Sequence, residues 1–135
     1  MTEHSRLPEH IDLIALTETV GGDVEVLRRL FRQIGQDLPG RLEALDRALG
    51  SGDAEALRAE AHSSKGFLAS IQARRARHVA EAVDEAARRA DLEEVAKRAG
   101  ELHRESEDLL RALDVWQREN GEGAGTGGVR SETPA

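Results

Sequence analysis

The feature that most constrains this chain is the spacing of its apolar residues, which recur in steps of three and four along most of its length. That spacing places apolar side chains on one face of an α-helix, whereas a half-buried strand needs strict alternation. Four long segments carry the pattern, and short connections separate them. Long amphipathic helices with short connections pack side by side in alternating directions. The sequence therefore predicts an all-α fold, an antiparallel four-helix bundle with a short extra N-terminal helix.

Breaks in the apolar pattern set the expected helix boundaries. The short helix covers residues 11–20 and stops at the glycine pair 21–22. Asp23, Asp53 and Asp91 are each suited to cap one of the helices that follow, because a carboxylate accepts hydrogen bonds from the free N–H groups of a first helical turn. The remaining break, near residues 70–73, is weaker.

A Pro-Gly pair interrupts the first long helix at Pro39 and Gly40. Such a pair usually marks a turn. The apolar register nevertheless stays in phase across it, from Ile34 through Leu38 to Leu42. We therefore predict one long helix that is kinked near Pro39.

The chain has 135 residues, which is enough for one domain. Residues 1–9 are polar, so we expect a flexible N-terminus. Residues 10–117 carry the amphipathic pattern and form the bundle. Residues 118–135 are rich in glycine and have almost nothing to bury, so we expect a disordered tail there.

Composition excludes several classes of function. The absence of cysteine excludes disulfides and thiolate metal sites. No apolar stretch approaches the roughly 20 residues that span a membrane, and no export signal is visible, so we expect a cytoplasmic protein without membrane contact. A net charge of −7 disfavours binding to nucleic acid. The expected partner is another protein.

His62 is the residue that points to chemistry. It follows Ala61 of the apolar stripe by one position, so we expect it to face solvent, where an imidazole can act as a nucleophile. Gly66 costs the helix about 0.5–1 kcal/mol relative to alanine, and its missing side chain leaves the imidazole open to a docking protein. Lys65 lies on the same face and could balance the charge of a phosphoryl group. Such a trio also occurs by chance in many helices.

Residues 61–73, AHSSKGFLASIQA, resemble the signature of histidine-containing phosphotransfer (HPt) domains. In that signature, lysine and glycine follow the phosphorylated histidine at three and four positions. His62, Lys65 and Gly66 match it. The similarity extends roughly from Leu13 to Leu113 and includes a proline-containing helix and a Gly-Asp connection that are typical of the family.

The resemblance implies a phosphorelay intermediate. His62 would accept a phosphoryl group from a receiver aspartate or a (hybrid) histidine kinase and pass it to the receiver domain of a response regulator. The chain would have no ATP site and would not be an enzyme in its own right. We expect no cofactor here, because a receiver would supply the Mg²⁺ for a transfer with it. Candidates for the docking surface are Glu55, Arg58, Ala59, Ala69 and Gln72.

Asp84 is implicated by the resemblance alone. In such domains an acidic or polar residue on the next helix often hydrogen-bonds the inner nitrogen of the histidine, and Asp84 stands at the matching position. Its carboxylate would then fix the tautomer and orient the imidazole. The alternative interpretation of Asp84 is a solvated helix residue.

Three positions depart from the family pattern. Ser64 stands where leucine is usual, Phe67 where a small residue is usual, and Gln72 where glycine is usual. We expect Ser64 to weaken the core face, Phe67 to reshape the docking rim and Gln72 to change the helix connection. These departures affect the expected choice of partner more than the phosphoryl chemistry.

A second interpretation of the whole chain is a helical adaptor or inhibitor that binds a kinase or receiver without being phosphorylated. Acid-labile, base-stable phosphate on His62 would distinguish the two functions. Metal binding is not expected, because none of the five histidines has an acidic residue three positions before it, as the histidines of di-iron bundles do.

Overall fold

The computed structural model of the chain describes residues 5–121. Within that range there are no strands, and each long helix packs against two others in a closed order, α3 with α4, α4 with α5, α5 with α6 and α6 with α3. The helices are α1 (Leu7–His10), α2 (Leu13–Thr19), α3 (Val24–Ser51), α4 (Ala54–Ser70), α5 (Arg74–Arg88) and α6 (Leu92–Glu119). The predicted antiparallel four-helix bundle is confirmed. The expected short N-terminal helix is α2, and a further short helix that the sequence pattern did not predict, α1, precedes it.

Aspartates begin three of the four long helices, as predicted. The carboxylates of Asp23 and Asp53 each accept two backbone N–H groups of the following turn, and Asp91 accepts one. Asp12 caps α2 in the same way, a role that the sequence pattern did not suggest. The start of α5 has no side-chain cap, because Ala73 occupies that position. This absence agrees with the weak break in the sequence before α5.

Two long helices end in the left-handed region without glycine. Gln72 after α4 has φ 60°, and Ala90 after α5 has φ 57°. In both turns, two backbone N–H groups bond back to carbonyls of the last helical turn, which is the Schellman arrangement. A β-carbon in this region costs about 1 kcal/mol. Gln72 thus occupies a turn in which glycine would be the least strained residue.

The helix α3 runs through Pro39 without interruption, as the apolar register predicted. Proline offers no N–H to the carbonyl of Gly35 and crowds it. Both residues are exposed, so water is able to bond to that carbonyl. Leu38 and Leu42 remain buried, so the core face is continuous across the proline. A kink at Pro39 stays a prediction.

The apolar stripes meet in one core. Between α3 and α6, Phe31 packs edge to face on Trp116 with ring centroids 4.9 Å apart. The buried face of α5 is mostly alanine, and such small side chains let it lie close to α4 and α6. Apolar residues at or beside the ends of the long helices are exposed, namely Ala54, Ala90 and Leu92, and Ile14 of α2 is exposed as well.

The segment before the bundle is more ordered than its polar composition predicted. Leu7 in α1 is 0% exposed, and Ile11 is also buried in the core. The hydroxyl of Ser5 donates to the carbonyl of Ala112 at 2.9 Å. Residues 7–9 therefore do not form the expected flexible terminus, because one apolar side chain among polar neighbours is enough to anchor a short helix.

The N-terminal helices close one end of the bundle. The N–H of Asp12 donates to the carbonyl of Gln72 at 2.9 Å, which ties the start of α2 to the α4–α5 connection. Leu16 of α2 is buried, and α1 packs against α5 and α6. This end of the core is therefore covered by residues that precede the bundle.

The C-terminal boundary differs slightly from the expected one. The helix α6 continues to Glu119, two residues beyond residue 117, because its last turn still packs. Most of the predicted tail, residues 122–135, lies outside the described residues, as do residues 1–4, and the expectations for both remain predictions. Between residues 5 and 121, no helix combines the length and apolar character needed to cross a membrane.

Candidate functional site

His62 lies near the middle of α4 and is exposed, as predicted. In the part of the chain that the structure describes, its ring has no hydrogen-bond partner. The adjacent stripe residues Ala61 and Ser64 are buried, so packing holds the backbone beneath the histidine. The imidazole is thus presented to solvent from a fixed helix.

Gly66 follows His62 by four positions and is also exposed. A β-carbon placed on it would meet no atom within 4 Å, and its φ is not in the left-handed region. Neither internal packing nor backbone conformation therefore requires glycine here, although glycine weakens a helix interior. The predicted role of Gly66, which is to leave an opening beside the imidazole, agrees with this space and stays a prediction.

Lys65 is held by a carboxylate. Its Nζ lies 2.8 Å from Oδ2 of Asp84 on α5, and the two side chains are 27% and 3% exposed. Arg88, one turn after Asp84, places Nη1 3.4 Å from the same oxygen. The buried carboxylate thus has two cationic partners, one on each helix. A buried charge without such partners would be strongly destabilising.

These contacts differ from the expected role of Asp84. No hydrogen bond joins its carboxylate to His62 among residues 5–121, and the carboxylate binds Lys65 instead. The solvated interpretation is wrong, because the side chain is buried. Lys65 is therefore not a free cation in this state. Asp84 acts on the lysine beside the histidine and not directly on the imidazole.

Arg41 of α3 is a residue of the site that the sequence pattern did not reveal. Its Nη1 donates to Oγ of Ser63 at 2.8 Å, and its guanidinium lies 4.4 Å from the centroid of the Phe67 ring. The stacked cation holds the Phe67 ring against Arg41 of α3, and the expected role of Phe67 in a docking rim stays a prediction. Only the contacts between helices reveal Arg41. The pairing of Asp84 with Arg88 could have been predicted, because opposite charges four positions apart lie on the same face of a helix.

The predicted docking residues lie beside His62 on one surface. Glu55, Arg58, Ala59 and Ala69 are exposed along α4, and Gln72 is half-buried in the turn that follows. Two of these positions are alanines, whose small side chains leave the surface around the histidine without protruding groups. The third departure, Ser64, is buried on the opposite face, and its Oγ has no hydrogen-bond partner within residues 5–121.

The other described histidines are in different surroundings. His10 is buried, and burial, with a further effect of the Arg75 guanidinium, lowers the pKa of its imidazole. His103 is bound to the Asp46 carboxylate at 2.9 Å. His78 is exposed on α5, but Glu81 and Ala82 stand where lysine and glycine follow His62. The arrangement at His62 is thus not repeated at these three histidines.

No group of three or more histidine, aspartate or glutamate side chains is arranged to hold a metal ion within residues 5–121. The cationic groups of the site, Lys65 and Arg88, are bound to carboxylates and would repel a metal ion. The expectation that the chain carries no cofactor stays a prediction.

Comparisons with known proteins agree with this geometry. The Hpt domain family matches residues 27–116. The crystal structure of histidine-containing phosphotransfer protein B (HptB) from Pseudomonas aeruginosa PAO1 is similar, with a TM-score of 0.75 and 26% identity, and the alignment covers 82% of this chain and 96% of that one. No curated protein matches the chain. Because the family match spans more than half of its length, the chain belongs to the Hpt domain family, whose members carry phosphoryl groups in two-component signalling.

Proposed function

We propose that this protein is a phosphorelay intermediate that accepts a phosphoryl group on His62. The donor is the phosphorylated aspartate of a receiver domain or a histidine kinase, and the acceptor is the receiver domain of a response regulator. One observation carries the proposal. His62 is exposed on a packed helix and has no hydrogen-bond partner among residues 5–121, and the residue one turn later is a glycine that the packing of these residues does not require.

The transfer is a displacement at phosphorus. A ring nitrogen of His62 attacks the phosphorus atom of an aspartyl phosphate, the bond from phosphorus to the aspartate oxygen breaks, and the carboxylate leaves with the electron pair. Phosphoryl transfer depends mainly on alignment and on stabilisation of charge. The proposal assigns the Mg²⁺ ion to the receiver. This chain supplies a fixed nucleophile and adds no ATP chemistry, so it is a carrier and not an enzyme.

The partner would dock along the exposed face of α4. The alanines and Gly66 around His62 have small side chains or none, so a convex surface of the partner can approach the imidazole. Charged side chains, among them Glu55 and Arg58, lie toward the start of the helix and would select the partner by complementary charge. On the α3 side, Arg41 and Phe67 form a fixed edge to this surface.

The test is a transfer assay with a radiolabelled phosphoryl group. The full chain is mixed with a panel of phosphorylated receiver domains and, separately, with phosphoramidate, which needs no protein partner. We expect acid-labile, base-stable label on the wild-type chain and none on His62→Gln. His78→Gln is the matched control, because it removes another exposed histidine, and it should label as the wild type does.

Two results would contradict the proposal. Label that persists in His62→Gln would place the phosphoryl group elsewhere. A receiver that binds the chain without transferring label, while phosphoramidate also fails to label it, would favour the adaptor or inhibitor instead. Helicity and melting temperature of each variant, measured in parallel, separate loss of chemistry from loss of fold.

A further inference from the structure

The ion pair beside His62 creates a competition for one lysine. Lys65 is the amine three positions after His62, and it already binds the buried carboxylate of Asp84 at 2.8 Å. A phosphoryl group on His62 would bring a charge of about −1.5 to −2 and three strong acceptor oxygens to the same face of α4. Lys65 is then drawn toward the phosphoryl group, because that group carries more charge than a carboxylate.

The departure of Lys65 would leave a charge buried. The Asp84 side chain is 3% exposed, and a carboxylate that loses its partner away from water destabilises the fold strongly. The lysine can therefore turn to the phosphoryl group readily only if a second cation satisfies Asp84. The structure contains such a cation.

Arg88 is placed to be that second cation. It lies one helical turn after Asp84, its Nη1 is 3.4 Å from the Oδ2 atom that Lys65 binds, and its side chain is 56% exposed and so has room to turn. At present its closer bond is to Glu85 at 2.5 Å. Glu85 also has a second partner, Arg89, at 3.2 Å, so Arg88 could shift toward Asp84 without leaving Glu85 unpaired.

We propose that Arg88 is a positioning residue that takes over the buried Asp84 carboxylate when Lys65 turns from Asp84 to the phosphoryl group on His62. This inference rests on the proposed function, because it needs a phosphoryl group at His62. Arg88 does not touch the reacting atoms. It pairs with the buried Asp84 carboxylate, so that Lys65 can move from Asp84 to the phosphoryl group and the carboxylate is not left unpaired.

The test compares neighbouring arginines at the end of α5. Arg88→Gln removes the second cation of Asp84. Arg89→Gln is the matched control, because Arg89 is similarly exposed and, among residues 5–121, pairs with Glu85 and not with Asp84. Arg88→Lys is the rescue variant, since a lysine at that position keeps the charge. Each full chain is treated with phosphoramidate, whose P–N bond breaks as ammonia leaves, and His62 labelling and the NMR signal of the Lys65 ammonium group are followed.

We expect Arg88→Gln to slow labelling of His62 by about threefold to fivefold. A rate change of this size corresponds to the free energy that an exposed ion pair typically contributes. Phosphorylation should shift the Lys65 ammonium signal in the wild type and in Arg89→Gln but much less in Arg88→Gln, and Arg88→Lys should restore both the rate and the shift. Equal melting temperatures before phosphorylation would show that the effect is not a loss of fold.

Labelling and a Lys65 shift that are unchanged in Arg88→Gln would overturn this inference and leave the proposed function intact, because His62 would still carry phosphate. An equal effect of Arg88→Gln and Arg89→Gln would also overturn it, since the cause would then be net charge. If the wild-type chain takes no label on His62 from phosphoramidate or from any receiver, the proposed function fails, and this inference fails with it.

Discussion

The two faces of helix α4 carry different kinds of residue. One face holds Leu57, Ala61 and Leu68, which are buried and which the bundle needs for its core. The other holds His62 and Gly66, which are exposed and which the bundle does not need. The difference shows that residues of one helix, one position apart, can serve stability or chemistry separately. Lys65 lies at the boundary, because it is half-buried and bound to a buried carboxylate.

The largest expected effect is on the buried face. Leu68 is 0% exposed, and Leu68→Ala should lower the free energy of unfolding by about 2–5 kcal/mol, because it removes buried methyl groups and leaves a cavity. Urea denaturation measures this change. Below the denaturation midpoint, the folded fraction should still take phosphoryl label on His62. A folded variant that takes no label would show that the two faces are not separable.

A substitution at the boundary should affect both faces. Lys65→Met leaves the Asp84 carboxylate with Arg88 alone, and we expect a loss of about 1–3 kcal/mol of stability together with slower labelling of His62. The double variant Lys65→Met with Asp84→Leu removes the stranded charge. It should regain stability, because an apolar pair can replace a buried ion pair, but it should not regain the labelling rate. Recovery of both would remove Lys65 from the phosphoryl chemistry.

Ser64 offers a smaller change on the buried face. Its hydroxyl is buried and has no hydrogen-bond partner in the described range 5–121, so Ser64→Ala should raise the free energy of unfolding by about 1 kcal/mol. Thermal unfolding measures the gain, and the labelling rate should stay the same. A loss of stability would mean that the hydroxyl has a partner, for instance an ordered water molecule.

The smallest expected change in stability belongs to the exposed face. Gly66→Gln should stabilise the helix by about 0.5–1 kcal/mol, because it removes a glycine from a helix interior. It should also slow transfer from a receiver far more than labelling by phosphoramidate, since only the protein donor needs access across the surface. Gly35→Gln, at an exposed open site in α3, is the control and should leave both rates unchanged. If the receiver and phosphoramidate both label Gly66→Gln as fast as they label the wild type, the access argument is refuted.

Local signals in the sequence predicted most of the fold. Asp23, Asp53 and Asp91 cap helices because capping depends on neighbours two or three positions away. The continuity of α3 through Pro39 also followed from the register of nearby apolar residues. The helix α1 was missed, because a single buried leucine among polar residues gives no periodic signal.

The site was predictable only in part. The exposure of His62 follows from its position beside the apolar stripe, and the family signature directs attention to Lys65 and Gly66. The ion pair between Lys65 and Asp84 and the stacking of Arg41 on Phe67 join different helices, so their geometry depends on how the helices pack. Burial of Asp84 was hidden for the same reason. Charged residues are usually solvated, and only the tertiary structure shows where one is not.

The attachment of the N-terminal helices has a practical consequence for any shortened version of this protein. The family match begins at residue 27, yet Leu7, Ile11 and Leu16 belong to the same core as the residues that follow. A fragment cut at that residue would expose apolar surface at one end and remove the N–H that Asp12 donates to Gln72. Such a fragment would be prone to associate through the exposed surface. Kinetic work should therefore keep the chain from at least residue 5 onward, so that self-association is not mistaken for binding to a partner.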